Sequence, residues 1–430
     1  MTRNEFVDSI GIGHNLGNAL ECFIQCNYQR SIHYTETEGV CSILIENDVT
    51  DINGHHDFRI FVRWPDNTYS YYYNFEELWS NVVTPDEFFS TLVKNGVNTL
   101  RVPVNLISHI VDTISHTVDT AWLDHIRDVI SQAVNAGLKC IISLHTDYAI
   151  MCKSGNFVSL IDTEKSPSID GVGRLMSVWS QLASHLNEFS ADVLAFELAN
   201  EFQLRDIEQS TSSETLVTYA VNLYRHLFKS IRGVGGNAAE RFLLIGGYRN
   251  NIAYDVDKLV EFIDTELDDR CIISTCYYSP WQFTVCGVSN TWEYDGEFKE
   301  QMDAHFQRLL DVRNNSGIPI VISEYGVGSD DVAMISKDKL SICKYIYFMM
   351  KWFHDNNFSA CIWDPGYLIH RTDMSYGIPF WNDMVHAIRS GEEFDIEGAY
   401  EAHKDSISFL RCTEPRPATY EDLQALDAID

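Results

Sequence analysis

Short runs rich in Val, Ile and Leu alternate with longer amphipathic segments along almost the whole chain. The short runs are apolar throughout rather than apolar at every second position, the pattern of strands covered on both faces, as in a parallel sheet flanked by helices. Eight of them are read as strands: Ile12 to Asn18, Val97 to Val104, Leu138 to His145, Val193 to Asn200, Arg241 to Gly247, Cys271 to Tyr278, Ile318 to Glu324 and Ser359 to Asp364. Between them the spacing predicts helices at Trp122 to Ala136, Gly173 to Phe189, Glu214 to Ile231, Asp257 to Leu267, Glu297 to Val312 and Lys337 to Asn356, with Gly137, Gly233 and Gly317 placed as helix stops. Eight strands alternating with helices predict an α/β fold, a closed (β/α)8 TIM barrel. Such a barrel takes about 250 residues and tolerates long insertions, so one domain spanning residues 1–430 is expected. No linker-like stretch or internal repeat divides the chain.

The rhythm breaks between about residues 23 and 80, too long a segment for a simple strand-to-helix connection. Phe58 to Trp64 and Tyr69 to Tyr73 flank Pro65-Asp66-Asn67-Thr68, which predicts a β-hairpin inserted after the first strand. Its aromatic residues either pack the hairpin onto the barrel or stack against a ligand.

Composition adds exclusions. With 45% hydrophobic and 12% aromatic residues the chain can build a large core. It carries 31 basic and 62 acidic residues, a formal charge of −31, with no basic run. That excludes nucleic acid and anionic membranes as expected partners, because both are held by Lys and Arg against phosphate. The longest greasy segment, Tyr345 to Phe353, is interrupted by Lys351 and falls short of a membrane span. The N-terminal MTRNEFVDSIGIG carries no signal-peptide pattern. Eleven cysteines form no CxxC pair, so mostly buried free thiols are expected, with a disulfide among Cys22, Cys26 and Cys41 as the exception.

Catalytic residues of such barrels stand where strands end and the following loops begin. The predicted ends carry Asn15 and Asn18, Arg101, His145 and Asp147, Asn200 and Glu201, Tyr278, Glu324, and Trp363 and Asp364. A single polar residue there is usually a helix cap. Two glutamates ending the fourth and seventh strands, with Arg, His, Asn, Tyr and Trp at the others, have chemical meaning: glycoside cleavage needs one carboxylic acid to protonate the leaving oxygen and one carboxylate to attack the anomeric carbon.

In these motifs the chain resembles glycoside hydrolase family 5, the cellulase family. Gly13-His14-Asn15-Leu16-Gly17-Asn18 resembles its opening motif, with His14 in place of a usual Trp. Gly96-Val97-Asn98-Thr99-Leu100-Arg101-Val102-Pro103-Val104 is similar to its second-strand arginine motif, and Ile142-Ser143-Leu144-His145 to its third-strand histidine. Phe196-Glu197-Leu198-Ala199-Asn200-Glu201 resembles the acid/base motif, with Phe202 replacing a usual Pro. Tyr277-Tyr278-Ser279-Pro280-Trp281, Ile322-Ser323-Glu324-Tyr325-Gly326 and Ile362-Trp363-Asp364 resemble the motifs of strands six, seven and eight.

The resemblance implies a retaining endo-β-1,4-glucanase without cofactor or metal. Glu201 is then the acid/base and Glu324 the nucleophile, kept ionised by Arg101 and Tyr278; Asn200 meets a sugar 2-hydroxyl, Trp363 lies under the sugar, and His145 and Asn18 support the site. The expected partner is a β-linked poly- or oligosaccharide, with cellulose-like glucan, mixed-linkage glucan and xyloglucan foremost, cleaved by a secreted monomer. One residue departs from the pattern. Cys276 stands where the family has a histidine that hydrogen-bonds in the catalytic centre, and a neutral thiol is a weaker donor. Either catalysis persists in altered form or the barrel has become a non-catalytic β-glucan binder. The other motif-like runs, His55-His56-Asp57 and Gly233-Val234-Gly235-Gly236, are read as a polar turn and a loop.

Overall fold

A computed structural model describes residues 1–22, 42–50, 56–63, 69–72, 76–77, 81–112, 114–145, 172–204, 208–254, 256–285, 287–328, 334 and 336–409. Eight strands close into a barrel: β1 (Ile12–Asn15), β2 (Thr99–Val104), β3 (Lys139–Leu144), β4 (Leu194–Glu197), β5 (Leu243–Gly246), β6 (Cys271–Tyr277), β7 (Ile320–Tyr325) and β8 (Ser359–Ile362). All neighbours are parallel, and β1 pairs with both β2 and β8, so the sheet has no edge. Each strand lies within its expected run apart from Tyr325, which extends β7 by one residue, and most stop short of the expected end.

The described helices of eight residues or more are α1 (Arg3–Ile10), α2 (Glu87–Lys94), α3 (Thr120–Ala136), α4 (Val172–His185), α5 (Ser213–Val234), α6 (Val256–Glu266), α7 (Gly296–Ser316), α8 (Lys339–Asp355), α9 (Trp381–Ser390) and α10 (Ile396–His403). Gly137 and Gly317 end α3 and α7 in the left-handed conformation, as expected. Helix α5, in contrast, runs through Gly233 to Val234, and Gly235 takes the stop. No described helix is long and apolar enough to cross a membrane.

The inserted segment forms an antiparallel sheet of three strands, Ser42–Thr50, His56–Arg63 and Tyr69–Tyr72. The expected hairpin is its second and third strands; the first was not anticipated. His56 and Asp57 open a strand rather than a turn, while His55, Trp64 and the tip 65–68 lie outside the described residues. So do Cys26, Cys41 and Asp147. Cys140, Cys271, Cys276, Cys343 and Cys361 are free thiols.

Inward-facing residues sort the barrel into layers. At the bottom, Ile141, Ala195, Leu244, Ile272, Val321 and Cys361 form an apolar plug with Phe6, Val7 and Ile10 of α1, and Phe6 stacks on Phe242 at 4.2 Å. Helix α1 is fixed by a capping box between Thr2 and Glu5. Two residues further along each strand the interior turns polar, with Asn15, Arg101, Ser143, Glu197, Ser274 and Ser323, all buried. This is the floor of the site. Gly246 completes the layer because a Cβ there would overlap the Asn250 side chain, which reaches inward to donate to Glu197.

The loop after β8 is organised by buried Asp364. Its Oδ1 accepts from the backbone N–H of Gly366, Tyr367 and Leu368, and its Oδ2 from that of Ile369 and from His14 Nε2 at 3.0 Å. Burial pushes this carboxyl up, but the bond and charge of His14, the N–H of Leu368 and the charge of Arg371 together bring it below the ordinary range. Asp364→Ala removes the acceptor of five buried donors and is expected to destabilise the fold by about 2–4 kcal/mol in urea unfolding at neutral pH. Because the folded-state value is depressed, this stabilisation is present above the ordinary carboxyl range and fades as pH falls through the folded value; wild type and variant therefore converge in strong acid.

Candidate active site

Arg101, on β2 and fully buried, is the hub of the polar floor. Its Nε donates to Glu197 Oε2 at 2.7 Å, Nη1 to Asn15 Oδ1 at 2.8 Å and Glu324 Oε1 at 2.7 Å, and Nη2 to Ser143 Oγ and Asn200 Oδ1, each at 2.8 Å. One planar guanidinium thereby ties together β1, β2, β3, β4, the loop after β4, and β7, a use of five fixed donors that an ammonium cannot copy. Burial pushes the guanidinium down, and the carboxylates of Glu197 and Glu324 more than offset it, keeping the charge.

Glu324, on β7, is held from both sides: Arg101 on Oε1 and the Tyr278 hydroxyl on Oε2 at 3.0 Å. Burial still raises this carboxyl above its ordinary value, with Arg101 pulling it down and Glu197 pushing it up. Tyr278 keeps its proton, raised well above normal by burial and by Glu324. His145 follows β3 with Nε2 3.8 Å from Glu324 Oε1. Burial, then the nearby Arg101 charge, holds it well below its ordinary value, so it is neutral. Its ring lies parallel to Trp363, at 11° and 6.2 Å between centroids.

Glu201 stands just after β4 with a left-handed backbone, φ 43°, which costs a non-glycine residue about 1 kcal/mol. A carboxylate oxygen of Glu201, one of Glu324 and the Cys276 sulfur all lie within 4.8 Å of one another. A one-residue bulge in the β6–β7 pairing sets Cys276 directly opposite Glu324. Cys276 Sγ is 3.8 Å from Ser323 Oγ, and burial, then the Glu324 and Glu201 carboxylates, push the thiol well above its ordinary value. It is a neutral group. From Glu201 a cleft of about 530 Å³ leads outward past Cys276, Tyr278 and Arg249 to Trp281, which is 57% exposed.

A family profile for Cellulase (glycosyl hydrolase family 5) matches residues 62–367, most of the chain. The chain belongs to glycosyl hydrolase family 5. This family 5 protein is 26% identical over 329 residues to Endoglucanase 1 of Ruminococcus albus, covering 74% of each chain. It is 25% identical over 338 residues to a xyloglucan-specific endo-beta-1,4-glucanase of Bacteroides ovatus, covering 74% of this chain and 64% of that one. It spans between 52% and 74% of the length of the first three curated relatives it matches. Among solved structures, a broad specificity endoglucanase from an uncultured bovine rumen ciliate superposes with a TM-score of 0.63 at 22% identity, over 91% of this chain and 99% of that one.

Of the residues singled out in the sequence, Arg101, His145, Asn200, Glu201, Cys276, Tyr278, Glu324 and Trp363 are brought together at one mouth of the barrel. Asn18 is not part of the arginine network. It lies three residues beyond β1 in a left-handed loop, and its carbonyl accepts from Arg371. Asn15 binds Arg101 instead, its amide nitrogen spanning β7 and β8 through the carbonyls of Ser323, Cys361 and Ile362. Asn200 also has a part beyond the expected one, since its oxygen serves Arg101 and its amide nitrogen remains the end that can donate to a sugar. Glu197 was quoted only as part of a motif, yet it carries Arg101, Asn250 and the Ser274 hydroxyl. An acidic residue inside an apolar strand, two positions from a layer of hydrophobes, was its signal.

Proposed function

We propose that this family 5 protein is a retaining endo-β-1,4-glucanase that cleaves β-glucans of the cellulose-like, mixed-linkage or xyloglucan type. The observation that carries the reading is the pair of carboxylates within 4.8 Å of each other at the ends of β4 and β7. Retaining glycosidases place the two groups roughly 5–5.5 Å apart, whereas inverting ones leave roughly 6.5–9.5 Å for a water between them.

The chemistry follows from the contacts. Glu324, with both oxygens oriented by Arg101 and Tyr278, attacks the anomeric carbon from the face opposite the aglycone. Glu201 gives its proton to the glycosidic oxygen as that C–O bond breaks, leaving an α-linked glycosyl ester on Glu324. Glu201, now a carboxylate, takes a proton from water; the water oxygen bonds to the same carbon, the ester breaks, and the β-configured sugar is released. The amide nitrogen of Asn200 supplies a hydrogen bond to the 2-hydroxyl that strengthens as positive charge develops on the ring. Trp363 offers a flat apolar face to the sugar, and Trp281, further along the cleft, to the aglycone. The enzyme acts as a secreted monomer, since its polymeric substrate lies outside the cell.

The test is reducing-sugar release from carboxymethylcellulose, barley β-glucan, xyloglucan and mannan, with proton NMR of the first product formed. Turnover on at least one glucan with the β-anomer appearing first is expected. Initial α-anomer would overturn retention, and binding in affinity gels with no turnover on any glucan would leave a glycan-binding barrel.

A further inference from the structure

We propose that Glu201, Cys276 and Glu324 form a binding site for one thiophilic divalent cation, Zn²⁺ foremost, and that its occupation switches hydrolysis off reversibly. The three side chains come from β6, β7 and the loop after β4, and their donor atoms already lie within 4.8 Å of one another. Around a tetrahedral zinc, bonds of about 2.0–2.3 Å set neighbouring donors roughly 3.5 Å apart, so closing the site takes about 1 Å of movement. Glu201, half-buried at the cleft wall, is placed to make it.

A second observation points to the same place. His145 Nε2 is buried without a hydrogen-bond partner and sits 3.8 Å from Glu324 Oε1, a neutral imidazole nitrogen at the edge of the cluster. Charge favours a cation as well: the carboxylates of Glu197 and Glu324 share the single guanidinium of Arg101. The thiol selects the metal. Carboxylates alone suit Mg²⁺ or Ca²⁺, whereas one sulfur with oxygen and nitrogen donors turns preference toward Zn²⁺. On binding, the metal displaces the thiol proton of Cys276 and the carboxyl proton of Glu201 to solvent, the S–H and O–H bonds being the ones broken. Both carboxylates needed for hydrolysis are then engaged, which is why the bound state is inactive. Cys276 thus supplies the soft, thiolate-forming donor of this site.

Zinc binding can be read without reference to hydrolysis, so its failure and that of the glucanase reading are separable. Purified wild type, Cys276→Ala and Glu201→Gln are compared by equilibrium dialysis against ZnCl₂, and by absorption with Co²⁺ as a spectroscopic stand-in. The eleven cysteines make the difference between proteins the informative quantity. Wild type is expected to hold one more Zn²⁺ per chain than Cys276→Ala, and to show a thiolate-to-cobalt charge-transfer band that this variant lacks. Glu201→Gln is expected to keep the band but weaken binding at least about tenfold. In the hydrolysis assay, saturating Zn²⁺ lowers the wild-type rate more than tenfold and EDTA restores it. For Cys276→Ala the half-inhibiting Zn²⁺ concentration, taken against that variant's own uninhibited rate, rises at least tenfold. Equal stoichiometry in wild type and Cys276→Ala, or the same cobalt band in both, would overturn the site; so would zinc binding that leaves wild-type hydrolysis untouched.

Discussion

Glu324→Gln is expected to lower kcat on a soluble glucan by roughly 10⁴–10⁶-fold, the range seen when a nucleophilic catalytic group is removed. Glucan affinity in gels should stay within a few-fold of wild type. The amide is isosteric and can still accept from Arg101 at the Oε1 position, so the floor built on Arg101, Glu197 and Asn15 keeps its shape. What disappears is the ability to form the ester. The role can be separated from a general electrostatic one by giving the cavity of Glu324→Gly a small nucleophile. With azide and an activated aryl glucoside, attack from the vacated face should yield the α-glycosyl azide. In Glu201→Ala the same reagent should give the β-azide, because there the ester forms first and azide replaces the activated water. Turnover by Glu324→Gln within tenfold of wild type, or the same azide anomer from both variants, would refute the assignment.

The barrel was legible because its strands are buried on both faces and read as unbroken apolar runs. Their ends were not, for a related reason. Leu16, Ala19 and Leu20, beyond β1, are completely buried, so the apolar pattern continues into a loop and drew the expected strand on to Asn18. Helix α1 was missed because its apolar side is only Phe6, Val7 and Ile10, too few for a period to emerge; the Thr2 and Glu5 capping pair was the available clue. Ser42–Thr50 mixes polar and apolar residues without clean alternation and gave no strand signal. At the site, the two glutamates, Arg101 and Asn15 were singled out from motif order, yet the rest of the layer beneath them was not. Inward-facing Ser143, Ser274 and Ser323 are small and common, and only closure of the barrel brings Ser274 and Ser323, 49 positions apart in the chain, to 3.0 Å. Long-range polar contacts of this kind leave little trace in a single sequence.

Arg101→Met carries the second large expectation, a fall in kcat/KM on the order of 10³-fold together with an acid limb displaced to higher pH. The displacement has a defined sign. Glu324 works as a carboxylate; burial raises its proton affinity above the ordinary 4.5, and Arg101 is the main group pulling it back, with Glu197 acting in the opposite direction. Activity is therefore present above the Glu324 value and lost as pH falls through it, and without the guanidinium that loss begins at higher pH. A loss of folded protein alone would scale the rate alike across the profile, so superimposable normalised profiles would overturn the argument. Stability moves too. Glu197 is fully buried, and removing its cation leaves an unpaired charge, a change worth about 3–5 kcal/mol. Arg101→Met/Glu197→Gln should recover part of that stability in urea unfolding, because the stranded charge is gone. It should recover little of the rate, because Glu324 still lacks its cation, and its acid limb should fall between those of wild type and Arg101→Met, since the repulsion from Glu197 has been removed as well. Arg101→Lys restores charge but only three donors for contacts on Glu197, Asn15, Glu324, Ser143 and Asn200. Its acid limb should approach that of wild type while its rate stays low, separating the charge of the guanidinium from its geometry.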